Sequence, residues 1–243
     1  MTERRQFLAA LSLLSFETDA GAAGETIYIP DRHIEADRTF LAEFMEEYSF
    51  AMVVTARAGL HITNVPTLLT PGRDGWGKLW FHLSRNNQQN EAIDGATETV
   101  VVFHGPHGYI SPNWYAEPAA VRAVPTWNFA VVHASGKARR LDDDGLFTKN
   151  LAELVARKEG KYNSGGGAWN FAKLPDSYLK GMRQGIVQYE MTIEKVEAKF
   201  KLSQERSPAD QESILKGMGA AARNERSLAE LSRAYFARAA RPK

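Results

Sequence analysis

The feature that most constrains the fold of this sequence is a series of short β-rich runs separated by close turns. Ala58-Gly59 and Asp74-Gly75 are typical hairpin turns between such runs. Only a short helix-like piece, 88–93, lies inside the series, which favours an antiparallel barrel over a doubly wound parallel sheet. The predicted strands are Phe50–Ala56, His61–Thr70, Lys78–Leu83, Thr99–Gly105, Phe129–Leu141 and Ile186–Phe200.

Helical patterns flank these runs, so the expected fold class is mainly β with flanking helices (α+β). Asp37–Tyr48 carries apolar side chains at helical spacing on one face and carboxylates on the other. Leu146–Lys158 also predicts a helix, and Pro208–Ala240 predicts one interrupted near Gly217 and Gly219. The expected domains are an N-terminal extension (1–26), a barrel domain (27–206) with a helical insertion at about 146–182, and a basic helical tail (207–243).

The N-terminus resembles a twin-arginine export signal. Arg4 and Arg5 precede the apolar stretch Phe7–Phe16, and 20–22 offers a small-x-small cleavage site. This pattern predicts export to the periplasm, and the alternative is an amphipathic N-terminal helix on a cytoplasmic protein. No run approaches the ~20 apolar residues that a membrane span requires.

Composition excludes several classes of chemistry. The chain has no cysteine, which excludes disulfides, thiolate nucleophiles and cysteine-ligated metal centres. With 30 Lys and Arg against 29 Asp and Glu, it is not a strongly basic nucleic-acid-coating protein. Residues 217–222 match a dinucleotide-binding string but lie in a helical pattern. His104 and His107 are the closest histidine pair, and Gly105-Pro106 between them predicts a turn, so no metal site is expected.

The stretch Phe81–Asn87 has the residue types that a phosphate monoester requires. A strand ends and a short helix begins here, which brings the Ser84 hydroxyl, the Arg85 guanidinium and free backbone N–H groups to one point. The alternative is an ordinary helix capped by Asn87, with Arg85 facing solvent.

Two further segments combine flat rings with amide groups. These are 104–115 and 124–129, which together contain histidines, tyrosines, tryptophans and asparagines in a rigid Gly/Pro frame. Such groups suit a planar heteroaromatic ligand, because rings stack on its face and amides bond its edge. Ordinary packing of aromatic side chains at the end of a barrel explains them equally well.

Several longer motifs follow one another along the chain. They are Tyr28-Ile29-Pro30, His82-x-x-Arg85-x-Asn87, Phe103-x-Gly105-Pro106-His107-x-Tyr109-Ile110-Ser111, Trp114-Tyr115, Val124-Pro125-Thr126-Trp127-Asn128, Val132-His133 with Gly136, and Lys201-Leu202-Ser203-Gln204. In this order they resemble the PaiB-type family of FMN-binding negative transcriptional regulators, over about 27–219. The resemblance implies an FMN-binding split β-barrel, related to pyridoxamine phosphate oxidase, with FMN at a homodimer interface.

The same resemblance implies roles for particular residues. Ser84 and Arg85 hold the FMN phosphate, with Asn87 capping the helix behind it, and backbone groups of 63–68 follow the isoalloxazine edge. Trp127 and Asn128 approach the isoalloxazine ring. Lys199, Lys201 and Gln204 reach the phosphate or the ribityl chain. The implied cofactor-binding residues are Thr63, Asn64, Val65, Pro66, His82, Ser84, Arg85, Asn87, Trp127, Asn128, Lys199, Lys201 and Gln204.

The chain departs from the family pattern after Arg85. The family often has Asn-Pro-Gln-Trp where this chain has Asn87-Gln88-Gln89-Asn90, so the shape of this loop is open at the level of sequence. Likewise 64–66 reads Asn-Val-Pro where His-x-Pro is common, and His104 replaces a glutamine.

Three functions follow from these observations. The first is an FMN-binding flavoprotein that exchanges hydride or electrons, with His82, His104 and His107 as candidates for proton delivery. The second is repression of transcription, although the only basic region is 206–243, at eight Lys and Arg against four Asp and Glu. A solvated helix face or a dimer-packing arm explains that region too. The third is haem binding through a histidine.

Overall fold

The computed structural model describes residues 25–116, 124–163, 169–221 and 223–239, and the predicted export signal lies almost entirely outside them. Within these residues, seven antiparallel strands form one sheet: β1 Phe50–Ala56, β2 Leu60–Pro66, β3 Leu68–Thr70, β4 Lys78–Ser84, β5 Glu98–Ile110, β6 Thr126–Leu141 and β7 Ile186–Lys201. Their order across the sheet is β2-β1-β5-β6-β7-β4-β3. Residues of β2 contact β4, so the sheet curls until its two edges approach each other.

Two strand predictions are wrong in detail. The predicted strand His61–Thr70 is two strands, because Thr67 turns aside and donates its backbone N–H and hydroxyl to the Ser49 carbonyl. The predicted turn at Gly105-Pro106 is instead a bulge inside β5, where the pairing with β6 shifts between His104 and His107. Gly105 allows this close packing, since a Cβ there would lie 2.5 Å from the Phe44 ring.

The described residues contain six α-helices, and side-chain caps fix several of their starts. The predicted interruption near Gly217 and Gly219 is confirmed, although it falls just beyond the two glycines: one helix ends at Ala220 and the next begins at Arg223. A Cβ at Gly217 would lie 2.4 Å from the Trp114 ring, so that glycine serves helix packing. None of these helices is long and apolar enough to cross a membrane. The helices are α1 Arg38–Glu47, α2 Gln89–Ala92, α3 Asp144–Tyr162, α4 Asp176–Gln184, α5 Pro208–Ala220 and α6 Arg223–Ala239.

Two hydrophobic cores hold the helices on the sheet. The main core joins the inner face of the sheet to α1, α5 and α6, with Phe81, Phe103 and Phe200 at its centre. The second core joins the outer face of β3 and β4, including Trp80, to Phe147 and its neighbours on α3. The predicted helical insertion therefore covers β3 and β4, and the apolar side chains of β1 and β2 that face away from the main core are exposed.

Candidate functional site

The sequence-predicted residues form two groups that meet β7 at its two ends. We call Thr63, Ser84, Arg85 and Asn87 the loop group, and the second set is the lysine group: Trp127, Asn128, Lys199, Lys201 and Gln204. Ser84 pairs with Ile186 at the start of β7, whereas Phe129 pairs with Lys201 at its end, 15 residues further along the strand. The sheet curls between them, because the register through β1, β5 and β6 sets Thr63 level with Val196.

Arg85 is tied to the junction between α4 and β7. Its backbone N–H donates to the Gly185 carbonyl at 2.9 Å. Its guanidinium donates to the Gln184 carbonyl through Nε and to the Ile186 carbonyl through Nη2, the latter at 3.0 Å. A guanidinium has five N–H donors, so Arg85 has further donors for an anion while its side chain is held in position.

Asn87 connects the loop to the edge strand of the sheet. Its Nδ2 donates to Thr63 Oγ1 at 2.9 Å, and its Oδ1 accepts from the backbone N–H of Gln89, the first residue of α2, at 2.9 Å. The side chain thus brings together two residues that sequence analysis placed in the same site. It also fixes the first turn of α2 behind Ser84.

Sequence analysis missed Asn90, which braces the same loop. Its Nδ2 donates to the carbonyls of Ser84, at 2.8 Å, and Arg85, at 3.1 Å. Its Oδ1 accepts from the Tyr189 hydroxyl on β7 at 2.9 Å. The amide that replaces the family's tryptophan therefore holds the loop by hydrogen bonds.

Gln89 anchors the loop from inside the protein, and it too was missed. It is 1% exposed, and its Nε2 is within hydrogen-bond distance of the Val53 carbonyl, Thr55 Oγ1 and the His61 carbonyl, at 3.1, 3.0 and 3.3 Å. The run of four amides at 87–90 was the available signal. These bonds determine the loop shape that the sequence left open.

A cleft of about 490 Å³ adjoins Arg85 between α3 and α4. Arg183 and Asp144 form an ion pair at its wall. Motif comparison gave no sign of this cleft, because its walls belong to the helical insertion. It is lined by Arg85, Asp144, Phe147, Thr148, Asp176, Leu179, Lys180, Arg183 and Gln184.

His82 precedes the loop group on β4 and faces the second core. Its ring lies 5.4 Å from that of Trp80, and burial lowers its pKa, so the imidazole is neutral at neutral pH. Its Nδ1 is buried and has no partner within the described ranges. The structure therefore places His82 beneath the insertion.

The remaining implied residues lie on β2. Asn64 is exposed, Val65 is buried and Pro66 is half-buried. Because β2 is the last of the described strands on its side of the sheet, one edge of its backbone has no neighbour among them. That edge can offer main-chain groups to a ligand, as the resemblance implies.

Part of the lysine group shares one face of the sheet. Tyr109 pairs with Trp127, His107 with Phe129, and Phe129 with Lys201, so all five side chains point to the outer face. The rings of Trp127 and Tyr109 lie 6.2 Å apart, edge to face. We call these five residues the ring–lysine face.

The side chains of Asn128 and Gln204 form hydrogen bonds at the turn that follows β7, away from the exposed rings. Asn128 is fully buried and its Nδ2 donates to Ser203 Oγ at 2.8 Å. Gln204 accepts from the Leu202 N–H at 2.7 Å and donates to the Arg32 carbonyl at 2.9 Å. Both side chains stabilise the turn after β7. Successive residues of a strand point to opposite faces, which explains why Trp127 and Asn128 do not meet at one ligand.

Positive charge is concentrated around this turn. Lys199 donates to the Tyr28 carbonyl at 2.8 Å, and burial followed by repulsion from Lys201 lowers its pKa. The pKa of Lys201 is also lowered: burial is the largest cause, and Arg32 and Arg206 oppose the attraction of Glu205. The turn therefore holds more positive than negative charge at close range.

Comparison with known proteins assigns the chain to a family. A family model described as "Putative FMN-binding domain" matches residues 27–195. The chain belongs to this family. Protease synthase and sporulation protein PAI 2 of Bacillus subtilis is 31% identical to it over 189 residues, which cover 78% of this chain and 87% of that protein. The resemblance to the PaiB-type family is thereby confirmed.

Solved structures confirm the fold. The FAD and heme binding protein from Mycobacterium smegmatis aligns with a TM-score of 0.51 at 16% identity, over 76% of this chain and 80% of that one. The flavocytochrome Anf3 from Azotobacter vinelandii gives 0.51 at 12% identity, over 70% of this chain and 69% of that one. The FMN-binding chain thus has the antiparallel split-barrel fold.

Proposed function

We propose that this FMN-binding protein is a homodimeric flavin-dependent oxidoreductase that holds the FMN phosphate at the loop group. The observation that carries the proposal is the hydrogen-bonded loop, which presents the Ser84 hydroxyl and the Arg85 guanidinium together at the end of β4. A phosphate monoester fits this donor set, because charge-assisted bonds from arginine and neutral hydroxyl bonds both favour it. Bound FMN supplies the redox chemistry.

The protein's contribution is binding and orientation. Asn87 links the phosphate loop to Thr63, which places the free edge of β2 next to it. Backbone groups along 63–66 are positioned to bond the isoalloxazine edge, as the family resemblance implies. His82 is half-buried and its pKa is lowered by burial, which suits a fixed proton donor or acceptor better than an anion-binding cation.

The test is FMN binding by Arg85→Ala. Loss of a charge-assisted phosphate bond should weaken binding by about 1.5–3 kcal/mol, roughly 10- to 150-fold. Arg139→Ala is the matched control, since Arg139 is an exposed arginine on β6 that pairs with Glu190 outside the loop. Affinity is measured by quenching of FMN fluorescence, and loading by absorbance near 450 nm. Equal affinity of Arg85→Ala and wild type would reject the assignment, as would a wild-type protein that does not quench FMN.

The homodimer part of the proposal is supported by an exposed apolar sheet face. Phe50, Leu60 and Ile62 are 71%, 67% and 53% exposed on adjoining strands. Adjacent apolar side chains of this kind mark protein–protein interfaces more often than scattered ones do.

Light scattering after size exclusion tests the dimer. Ile62→Glu should convert a dimer to a monomer and lower FMN affinity, while Leu146→Glu, a partly exposed leucine on α3, should change neither. A dimer that survives both Ile62→Glu and Phe50→Glu contradicts this interface.

Oxidoreductase activity has more support than repression. The C-terminal helix α6 places Leu228 and Ala229 in the main core, and Arg238 bonds Glu35 and Asp37 of the same chain. One of the positive charges of this helix, on Arg238, is thus paired with carboxylates of its own subunit. Anaerobic bleaching of the 450 nm band by a nicotinamide or dithionite donor, followed by reoxidation with an acceptor, tests redox competence. Sequence-specific DNA binding without redox turnover would favour the regulator instead.

Export is a separate proposal that depends on Arg4 and Arg5, outside the described residues. A twin-arginine route carries folded, cofactor-loaded proteins, which fits a flavoprotein. Replacing both arginines by lysine should retain the protein in the cytoplasm, and unchanged periplasmic recovery would refute the signal.

A further inference from the structure

His104 and His107 lie side by side at the bulge of β5. The register sets His104 opposite Val131 and His107 opposite Phe129, so a step of three residues along β5 matches a step of two along β6. Residues three apart on a regular strand point to opposite faces, but the extra residue of the bulge turns both histidines to the same face. Their ring centroids are 4.9 Å apart and the rings are perpendicular, at 88°. The bulge therefore brings together two imidazoles that a regular strand would separate.

A hydrogen bond fixes which ring nitrogen of His104 carries the proton. Its Nδ1 lies 2.9 Å from the Gly105 carbonyl oxygen. Because a carbonyl oxygen can only accept, Nδ1 donates, and Nε2 of the neutral imidazole keeps its lone pair. Histidines that bind metals have this arrangement: the second ring nitrogen donates to a backbone carbonyl or a carboxylate, which fixes the tautomer and orients the ring. His104 thus has the tautomer of a metal ligand.

Both histidines are exposed on the surface of the subunit. Among the described residues, no third histidine or carboxylate joins them in a group that could hold a metal. The pair therefore supplies two nitrogen ligands and leaves the other coordination positions of a bound ion open to water or to an exchangeable ligand.

Two neutral imidazoles determine which kind of ion can bind. Imidazole nitrogen suits Cu²⁺, Ni²⁺ and Zn²⁺, whereas Mg²⁺ and Ca²⁺ prefer oxygen ligands. Protein sites for Zn²⁺ usually supply three or four side chains. Cu²⁺ and Ni²⁺ accept square-planar sets of nitrogen and oxygen, which water can complete, and Cu²⁺ binds a given set of ligands most tightly in this series. The two-histidine site therefore suits Cu²⁺ or Ni²⁺ best.

The family resemblance does not by itself imply this pair. His107 belongs to the Gly-Pro-His motif, but His104 stands where the family pattern has glutamine. A glutamine at this position would leave a single imidazole at the bulge. Sequence analysis set the pair aside because Gly105-Pro106 predicted a turn, and the bulge takes the place of that turn.

We propose that His104 and His107 bind a divalent transition-metal ion, Cu²⁺ or Ni²⁺, with water in the remaining coordination positions. The proposal depends on two side chains of one strand. It requires neither the flavin assignment nor the homodimer.

The test is calorimetric titration of the untagged, full-length, FMN-loaded protein with the chlorides of Cu²⁺, Ni²⁺ and Mg²⁺. We expect saturable binding that is tighter for Cu²⁺ than for Ni²⁺ and absent for Mg²⁺. His104→Gln, which restores the residue of the family pattern, and His107→Gln should each weaken Cu²⁺ binding about 10-fold or more, because loss of even an outer-shell partner of a metal ligand costs about 10- to 100-fold.

Two further variants separate metal binding from ring packing. His104→Phe keeps a ring next to His107 but has no nitrogen, so it should lose Cu²⁺ binding while its melting temperature without metal stays near that of wild type. His61→Gln, a histidine substitution on β2, should bind Cu²⁺ as wild type does. Because a ligand of the folded state raises the melting temperature, Cu²⁺ should do so for wild type and His61→Gln but not for His104→Phe.

Three results would overturn the inference. The first is a lack of saturable Cu²⁺ binding, and the second is equal Cu²⁺ affinity of wild type and His104→Gln, which would place the ion elsewhere on the protein. The third is Cu²⁺ binding to protein without FMN but not to the FMN-loaded protein, which would assign the two imidazoles to the flavin site.

Discussion

The two ends of the sheet are built in different ways. At the loop end, the amides of Asn87, Gln89 and Asn90 bond backbone and side-chain groups of four strands, and the loop has little freedom. At the ring–lysine face, rings are exposed, cations repel one another, and nearby buried polar groups lack partners among the described residues. The difference indicates that the loop end is held in one shape by its own hydrogen bonds, as the proposed anchoring of the FMN phosphate requires.

Among these variants, Gln89→Leu should lower the stability of the fold most. It removes the side-chain amide N–H group that lies within hydrogen-bond distance of acceptors on both β1 and β2. We expect the free energy of unfolding to fall by about 2–4 kcal/mol, since buried acceptors lose their partner. Urea denaturation measures it. Gln88→Leu, on the exposed neighbour, should cost less than about 0.5 kcal/mol. Similar values for the two variants would show that the loop is not anchored by Gln89.

Asn90→Ala should have a smaller effect on stability and a clear one on FMN. Loss of the bonds to Ser84 and Arg85 should cost about 1–2 kcal/mol, and the freed loop should bind FMN about 10-fold more weakly because ordering it again costs conformational entropy. Fluorescence titration checks the affinity, with Asn86→Ala as control. Unchanged FMN affinity in Asn90→Ala would contradict a preorganised phosphate loop.

Acid should destabilise the loop end through His82. Burial lowers its pKa in the folded protein below the unfolded value near 6.5, so the unfolded state binds the proton first and stability is lost as pH falls from there through the folded pKa. His82→Gln should therefore flatten the dependence of unfolding free energy on pH between about 7 and 5. His107→Gln, at the exposed end, is the comparison, and identical slopes for His82→Gln and wild type would refute this contribution.

Lys201→Met should have the smallest effect on folding. The lysine lies among other cations, so its loss should change the free energy of unfolding by no more than about 0.5 kcal/mol, in the stabilising direction at low salt. Thermal melts at low and high salt measure this. A loss above about 2 kcal/mol would show that the ring–lysine end depends on Lys201 for its structure.

Patterns within the chain were sufficient for much of the fold. The alternation of apolar residues predicted the antiparallel strands, and helical spacing predicted α1 and α3. The predictions failed where a contact with a residue distant in the sequence determines the backbone conformation. Phe44 packs beneath the bulge at Gly105, and the Ser49 carbonyl accepts from Thr67 where the predicted strand divides. Propensity is local, and none of these partners is close in sequence.

The sequence by itself determined which groups are available: a serine, an arginine and amides after β4, and rings and lysines near the ends of β6 and β7. It also placed the chain in its family through ordered motifs. Only the tertiary structure decided which of these groups meet. Register along β7 separates Arg85 from Lys201, and strand alternation separates Trp127 from Asn128. The physical reason is that strand pairing fixes distance and direction across the sheet, which residue identity alone does not encode.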